Sequence, residues 1–238
     1  MIQRLDKIIS SQMNISRNDA RSMIKSGLVS VDGKVSSDIG GKFDAEKVSI
    51  TVNGKEISYK EYIYIMMNKP AGVVSATRDP KIKTVIDIVP ENLKRKNLFP
   101  AGRLDRDTVG FMLITDDGDF AHRILSPSKH VPKTYIAHLR DKLSEESRQI
   151  LENGAVLSDG TECMDATVRM LDESLKIAEI TIREGKYHQI KRMFASVGNE
   201  VVFLKRISMG NLHLDENLRE GECREITEKE LSMIEKRC

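Results

Sequence analysis

A charged loop runs without interruption into a wholly apolar stretch at Gly102-Arg103-Leu104-Asp105-Arg106-Asp107-Thr108-Val109-Gly110-Phe111-Met112-Leu113-Ile114. The apolar half belongs inside, so the charged half has to lie at the entrance to a buried element. Asp105 stands there between two arginines and close to two glycines. Such surroundings limit its rotamers and can hold it ionised. That setting suits a nucleophile, and the arginines suit a polyanionic substrate. A solvated loop ahead of a helix or strand often carries Asp and Gly as well, so the segment alone leaves both readings open.

A chain of 238 residues is long enough for one full core and a small satellite domain. Its formal charge of +2 is too small to argue for or against nucleic acid; the placement of the charges must do that. Cys163, Cys223 and Cys238 are widely spaced and form no CxxC, which argues against a disulfide scaffold or a zinc ribbon. No apolar run reaches the length of a membrane span, and the amphipathic start has no long apolar centre. The expectation is a cytoplasmic protein with no membrane contact, working as a monomer.

The first 58 residues read as a unit of their own. The spacing predicts a helix over 2–12 with Leu5, Ile8, Ile9 and Met13 on one stripe. Ser16 and Asp19 have capping-box spacing for a second helix that runs to about Lys25, presents Ala20, Met23 and Ile24 inward, and stops at Gly27. Asp32-Gly33 and Asn53-Gly54 are two-residue hairpin signals between short apolar runs. Arg4, Lys7, Arg17, Arg21 and Lys25 face few acids on the outer helical surface. A face of that kind binds phosphate backbones through charge and helix dipoles, or is simply solvated.

Beyond a polar bridge at 58–61, Tyr62–Met67 reads as a strand, Asn68–Gly72 as a turn, and Val73–Ala76 as a further strand. Between Pro80 and Pro90 the chain reads as a short helix or loop. Strands are expected around 133–140, 163–172 and 176–183, and helices at 117–125, 144–152 and 187–197. Period-two alternation, as in Tyr135-Ile136-Ala137-His138-Leu139 and Leu175-Lys176-Ile177-Ala178-Glu179-Ile180, marks half-buried strands. Rossmann-type βαβ spacing is absent, so the fold class is α+β with a mixed or antiparallel sheet over 62–232. The glutamate-rich tail reads as a surface helix and solvated end, away from RNA.

Three sets of residues can carry chemistry. Asp105 leads in the first, with Asp107 as its rival and Thr108 more suited to fixing the loop through backbone bonds. The second is Arg183-Glu184-Gly185-Lys186-Tyr187-His188-Gln189-Ile190-Lys191-Arg192-Met193-Phe194, an amphipathic helix with its entry. A basic residue at 191 or 192 can meet Asp105 across a cleft and keep the carboxylate charged; a helix that binds RNA or faces water has the same pattern. His188 has no other ligand at metal spacing and suits a polar contact better than zinc. In the third, Lys129, His130 and Lys133 form a positive patch beside Tyr135. The Tyr135 ring can stack on a flipped base or fill the core with its hydroxyl at the rim.

These segments, with Asn68-Lys69-Pro70-Ala71-Gly72 ahead of them and Leu204-Lys205-Arg206-Ile207 and Gly210 behind, occur in an order that resembles the ribosomal-RNA pseudouridine synthases. The first 58 residues resemble the S4 RNA-binding domain, through Arg4–Ile9, Ser16–Gly27 and Val29–Lys34. The resemblance runs to about residue 232 and falls in the branch carrying an N-terminal S4 domain; the wording Tyr-His-Gln-Ile-Lys-Arg-Met-Phe looks most like the enzyme acting on small-subunit RNA. It implies isomerisation of a uridine in 16S ribosomal RNA, at uridine 516, with Asp105 as nucleophile. Tyr135 would pack on the target base and Lys191 would pair with Asp105, with Arg192 competing for that role. Leu204 would line the uracil pocket and Arg103 would hold the nucleotide flipped out. Lys69, Lys133, His188, Gln189 and Arg192 would contact substrate, and Arg4, Lys7, Arg17, Arg21 and Lys25 the RNA. The chemistry requires neither cofactor nor metal. Two alternatives stay open within RNA binding, a large-subunit synthase and a non-catalytic S4-type protein. A nucleosidase would need a second carboxylate opposite Asp105.

Overall fold

In the computed structural model, residues 2–126, 131–172 and 176–235 are described. Strand β1 (Ile2–Arg4) comes first, so helix α1 (Leu5–Gln12) begins later than its spacing predicts. Residues 2–4 pair antiparallel with Lys42–Asp44, a partner far along the chain that overrides the local helical pattern. Leu5, Ile8 and Ile9 are wholly buried, whereas Met13 ends the helix and is exposed. Helix α2 (Arg17–Lys25) starts as the spacing predicts. The Ser16 Oγ accepts the Asp19 N–H at 3.1 Å, and the Asp19 carboxylate accepts the Ser16 N–H at 3.2 Å.

Strands β2 (Val29–Val31) and β3 (Lys34–Val35) follow, then β4 (Lys42–Asp44), β5 (Ile50–Val52) and β6 (Lys55–Ile57). Both hairpin turns have two residues at positive φ, Asp32 at 48° with Gly33 at 75° and Asn53 at 51° with Gly54 at 74°. That conformation matches the strand twist and explains the Asp-Gly and Asn-Gly pairs. The sheet order is β3-β2-β5-β6. Residues 1–63 form one compact unit that also takes in Lys94–Leu98. Within it the Arg95 guanidinium donates to Lys60 O and to Gln12, and Lys96 Nζ donates to Ile15 O.

The second unit, Tyr64–Leu93 and Phe99–Cys238, is built on nine strands among the described residues. They are β7 (Tyr64–Lys69), β8 (Phe99–Pro100), β9 (Val109–Thr115), β10 (Lys133–Leu139), β11 (Thr167–Asp172), β12 (Ile177–Ile182), β13 (Val201–Met209), β14 (Leu212–His213) and β15 (Cys223–Glu225). The main order is β11-β12-β10-β13-β9-β7-β15, with β14 beside β13 and β8 beside β9. Among the described residues, every strand pairing in this sheet is antiparallel except β9 with β13, which makes the sheet mixed. All seven residues of β9 are buried, which is where the apolar run after the charged loop goes.

Helices α3 (Gly118–Leu125), α4 (Glu145–Glu152), α5 (Gln189–Ser196) and α6 (Glu228–Glu235) complete the unit. Phe120, Ala121 and Ile124 of α3 join Met66, Phe111 and Leu113 in one core. The segment 73–76 is no strand; Val74 makes a single bridge to Thr84. Residues 163–166 lie outside β11, and β13, where the adjacent charges Lys205 and Arg206 interrupt an apolar run, is a strand that its local pattern does not announce. The tail is corrected too. Residues 223–225 pair with β7, and Ile226 and Ile234 enter the core, so apolar anchors hold an otherwise acidic segment. Leu175 and Cys238 lie outside the described residues. Among the described residues, no helix is long and apolar enough to cross a membrane.

Candidate active site

The loop ahead of β9 is wound around a buried ammonium. Lys69, at the end of β7, is 0% exposed, and its Nζ lies within hydrogen-bond reach of four carbonyls: Pro70 (3.1 Å), Asp105 (3.1 Å), Arg106 (3.3 Å) and Thr108 (2.8 Å). Burial pushes Lys69 down to about 8, with Asp107 and Asp105 opposing that shift. The expectation that Lys69 contacts substrate is therefore corrected. Its donors are committed to the backbone, and no part of it reaches solvent. The Ser75 hydroxyl adds a second pin, donating to Leu104 O at 2.9 Å and accepting the Leu104 N–H at 3.0 Å. Thr108 fixes the loop through its backbone, since its buried Oγ1 has no partner among the described residues.

So anchored, the loop presents Asp105 into a cleft of about 800 Å³ within the second unit. Arg103, Lys133, Tyr135, His188, Lys191 and Leu204 also line it. Asp107 does not, and its side chain is 73% exposed against 26% for Asp105. Lys191 Nζ is 3.7 Å from Asp105 Oδ2, but its close partner is Asp107, at 2.6 and 2.7 Å. The Lys191 hydrogen bond, against a smaller opposing effect of burial, holds the Asp107 carboxyl below its ordinary range. Asp107 thus fixes the ammonium, and Asp105 lines the cleft with only long contacts to its carboxylate oxygens from Lys191 and His188.

Arg192, the competing partner for Asp105, instead forms an ion pair with Asp159 at 2.5 Å. His188 precedes α5 in the left-handed conformation, φ 48°, which turns its ring back toward the loop. Its Nε2 lies 3.5 Å from Asp105 Oδ1, and its ring stacks on Tyr187 with centroids 3.8 Å apart. Gln189 is buried. Its amide donates to Glu184 at 2.6 Å and accepts the Lys186 N–H at 2.9 Å, so it shapes the start of α5 rather than reaching outward to substrate as expected. The two other carboxylates on the cleft wall are engaged as well. Glu184 also accepts the Met164 N–H, and Asp79 accepts the N–H groups of Lys81 and Ile82.

Sheet register assembles the remaining wall. Lys133 and Tyr135 share a face of β10, and Leu204 and Arg206 share a face of β13. Tyr135 pairs directly with Arg206, and Ala137 with Leu204. Arg206 is a site residue that sequence reasoning misses, although its motif is visible there. Nothing in the local sequence says that this arginine is buried. Lys129 and His130 lie outside the described residues. In the first unit Lys7, Arg17 and Lys25 are exposed, whereas Arg4 and Arg21 are tied at 3.1 and 2.9 Å to the wholly buried Asp6. Burial raises the Asp6 carboxyl, and the two guanidinium groups outweigh it and lower it.

Residues 63–196 match the model of the RNA pseudouridylate synthase family, and residues 3–44 match the S4 domain. The chain is 46% identical over 233 residues to an uncharacterized RNA pseudouridine synthase of Bacillus subtilis, covering 97% of this chain and 98% of that one. It is 38% identical over 232 residues to the ribosomal small subunit pseudouridine synthase A of Escherichia coli, covering 97% and 99%. A crystal structure of a pseudouridylate synthase superposes with a TM-score of 0.68 at 35% identity, over 97% of this chain and 99% of that one.

Proposed function

Because this chain belongs to the RNA pseudouridine synthase family and carries an S4 domain, we propose that it isomerises one uridine of small-subunit ribosomal RNA, uridine 516 of 16S RNA. The observation that carries the site assignment is Asp105, held in the cleft within reach of Lys191 and His188 and across from Tyr135 and Leu204. The wording of the segment 187–194 and the small-subunit relatives support the choice of RNA. We place the enzyme in the cytoplasm with its RNA. We infer that it works there as a monomer.

Pseudouridine formation breaks the N1–C1′ bond of uridine, turns the base, and rejoins it through C5. The reacting atoms are inaccessible in folded RNA, so the nucleotide is first extruded. The Asp105 carboxylate then attacks C1′ or takes the 2′ proton. Lys191 keeps that carboxylate company, and Asp107 keeps Lys191 in place. Tyr135 and Leu204 trap the detached uracil while it turns, and bound RNA over the cleft shields the sugar from water. Mapping of pseudouridine at single-nucleotide resolution on both ribosomal RNAs, with and without the protein, tests the reading. A new modification in large-subunit RNA alone would redirect it to that RNA, and none in either would remove it.

Tyr135 separates stacking from hydroxyl chemistry. Tyr135→Phe keeps the ring and is expected to retain substrate affinity, whereas Tyr135→Ala removes a stacking interaction of roughly 1–3 kcal/mol. Binding and single-turnover rates measured side by side check this. If both variants match the parent, Tyr135 is a core residue only.

The S4 unit supplies affinity. A combined Lys7→Ala, Arg17→Ala, Lys25→Ala variant removes three exposed cations and spares the Asp6 cluster. Every cation withdrawn from a phosphate lowers the slope of log affinity against log salt by about 0.7–0.9. We expect weaker binding, a slope shallower by about 2–3, and an unchanged rate at saturating RNA. An unchanged slope would move the RNA surface elsewhere.

A further inference from the structure

Among the described residues, the cleft contains two buried cations that no carboxylate neutralises. Arg206 is 1% exposed; its Nε donates to Phe111 O at 2.6 Å, and its Nη2 has no hydrogen-bond partner among the described residues. Lys133 is 9% exposed, and its Nζ donates to Val131 O at 3.0 Å. Among the described residues, neither has an ion-pair partner. Both line the cleft, on the sheet face that carries Tyr135 and Leu204. Burial first, and then the like charge of Arg206, pushes the Lys133 ammonium down to about 8. Burying two like charges side by side is costly, and an anion between them and the cleft is what offsets the cost.

We propose that Lys133 and Arg206 form a cationic floor that stabilises the detached uracil as an anion. This rests on the uridine isomerisation proposed above. When the C1′–N1 bond breaks, its electron pair leaves with N1, and the charge spreads onto O2 and O4. That holds whether Asp105 forms a bond to C1′ or removes the 2′ proton, since the base departs with the same electron pair. C5 then bonds to C1′ as the Asp105–C1′ bond breaks and its electron pair returns to the carboxylate or, in the other route, as the proton taken by Asp105 returns to C2′. Either step discharges the base anion, and the later loss of the C5 proton is balanced by uptake of a proton at N1. Lys133 is the group that meets the base, with two of its N–H bonds left for O2 or O4. Arg206 lies behind it and acts through its field in a medium of low dielectric constant. An RNA phosphate is the poorer occupant, because these residues lie on the face where Tyr135 and Leu204 receive the base.

The prediction concerns leaving-group sensitivity. A 5-fluorouracil anion is less basic than a uracil anion and needs less help to depart. In the full chain, Lys133→Met is expected to slow C1′–N1 cleavage of uridine in saturating RNA by about 100-fold under single-turnover conditions. The same variant should lose at least about tenfold less on RNA with 5-fluorouridine at the target position, and Lys133→Arg should recover most of the rate on uridine. Arg206→Met should change the ratio in the same direction, with folding checked by circular dichroism; if it does not fold, Lys133→Met decides. Equal losses on the two RNAs, or no loss, would overturn the proposal. A parent protein inactive on uridine RNA would instead remove the functional reading, and this inference with it.

Discussion

Asp105→Asn is expected to leave the fold and RNA affinity close to those of the parent and to abolish pseudouridine formation. The side chain contributes little to stability. Its ion pair with Lys191 at 3.7 Å and its contact with His188 at 3.5 Å are long and partly exposed, and such surface pairs are worth about 0–1 kcal/mol. The bonds that shape the loop run through the Asp105 carbonyl to Lys69 and Thr108, which the substitution does not touch. The chemistry is different, because an amide neither attacks C1′ nor accepts the 2′ proton. A loss of about 10⁴-fold or more is the expected scale for such a group. Tritium release from C5-labelled uridine RNA under single-turnover conditions measures it, and activity within tenfold of the parent would end the role of Asp105. Asp107→Asn separates the two acids. It frees Lys191 from its close partner while sparing the cleft carboxylate, so a loss on the order of tenfold is expected.

Where a local rule decides the conformation, the sequence is informative. Ser16 and Asp19 bond reciprocally at the spacing a capping box requires, and the two turn dipeptides adopt positive φ where only Gly, Asn and Asp do so readily. The alternation in 133–139 becomes a strand with alternate burial, and the apolar run after Asp105 becomes the buried β9. What escapes notice is decided by distant partners. Residues 2–4 look helical until residues 42–44 pair with them. Lys69 and Arg206 look like surface cations, because their burial depends on carbonyls that converge only in the folded chain, four on Lys69 and that of Phe111 on Arg206. The division of Lys191 between Asp105 and Asp107 is set by a backbone turn whose side-chain directions no spacing rule supplies.

Gly110 is the position where the fold and the site depend on the same missing atom. It sits in β9 at φ +98°, opposite Arg206 in the parallel pairing with β13. A Cβ there would stand 2.2 Å from Arg206 O, 2.9 Å from Lys205 Cγ and 3.0 Å from Arg206 N. Backbone atoms of a central strand have no side-chain freedom with which to retreat, so Gly110→Ala must push β13 away from β9. Left-handed strain costs about 1–2 kcal/mol, and overpacking typically adds about 1–3 kcal/mol. We therefore expect a decrease of about 3 kcal/mol or more in stability. Gly72→Ala is the matched control. Its φ is +86°, but nothing lies within 4 Å of the added carbon, so it should carry the conformational cost alone, about 1–2 kcal/mol. Urea unfolding followed by circular dichroism compares the two. Because Leu204 and Arg206 line the cleft from the displaced strand, Gly110→Ala should also lose activity under conditions where it is still folded. Equal destabilisation by the two substitutions would mean that β9 and β13 do not approach so closely, and that Gly110 serves only its backbone angle.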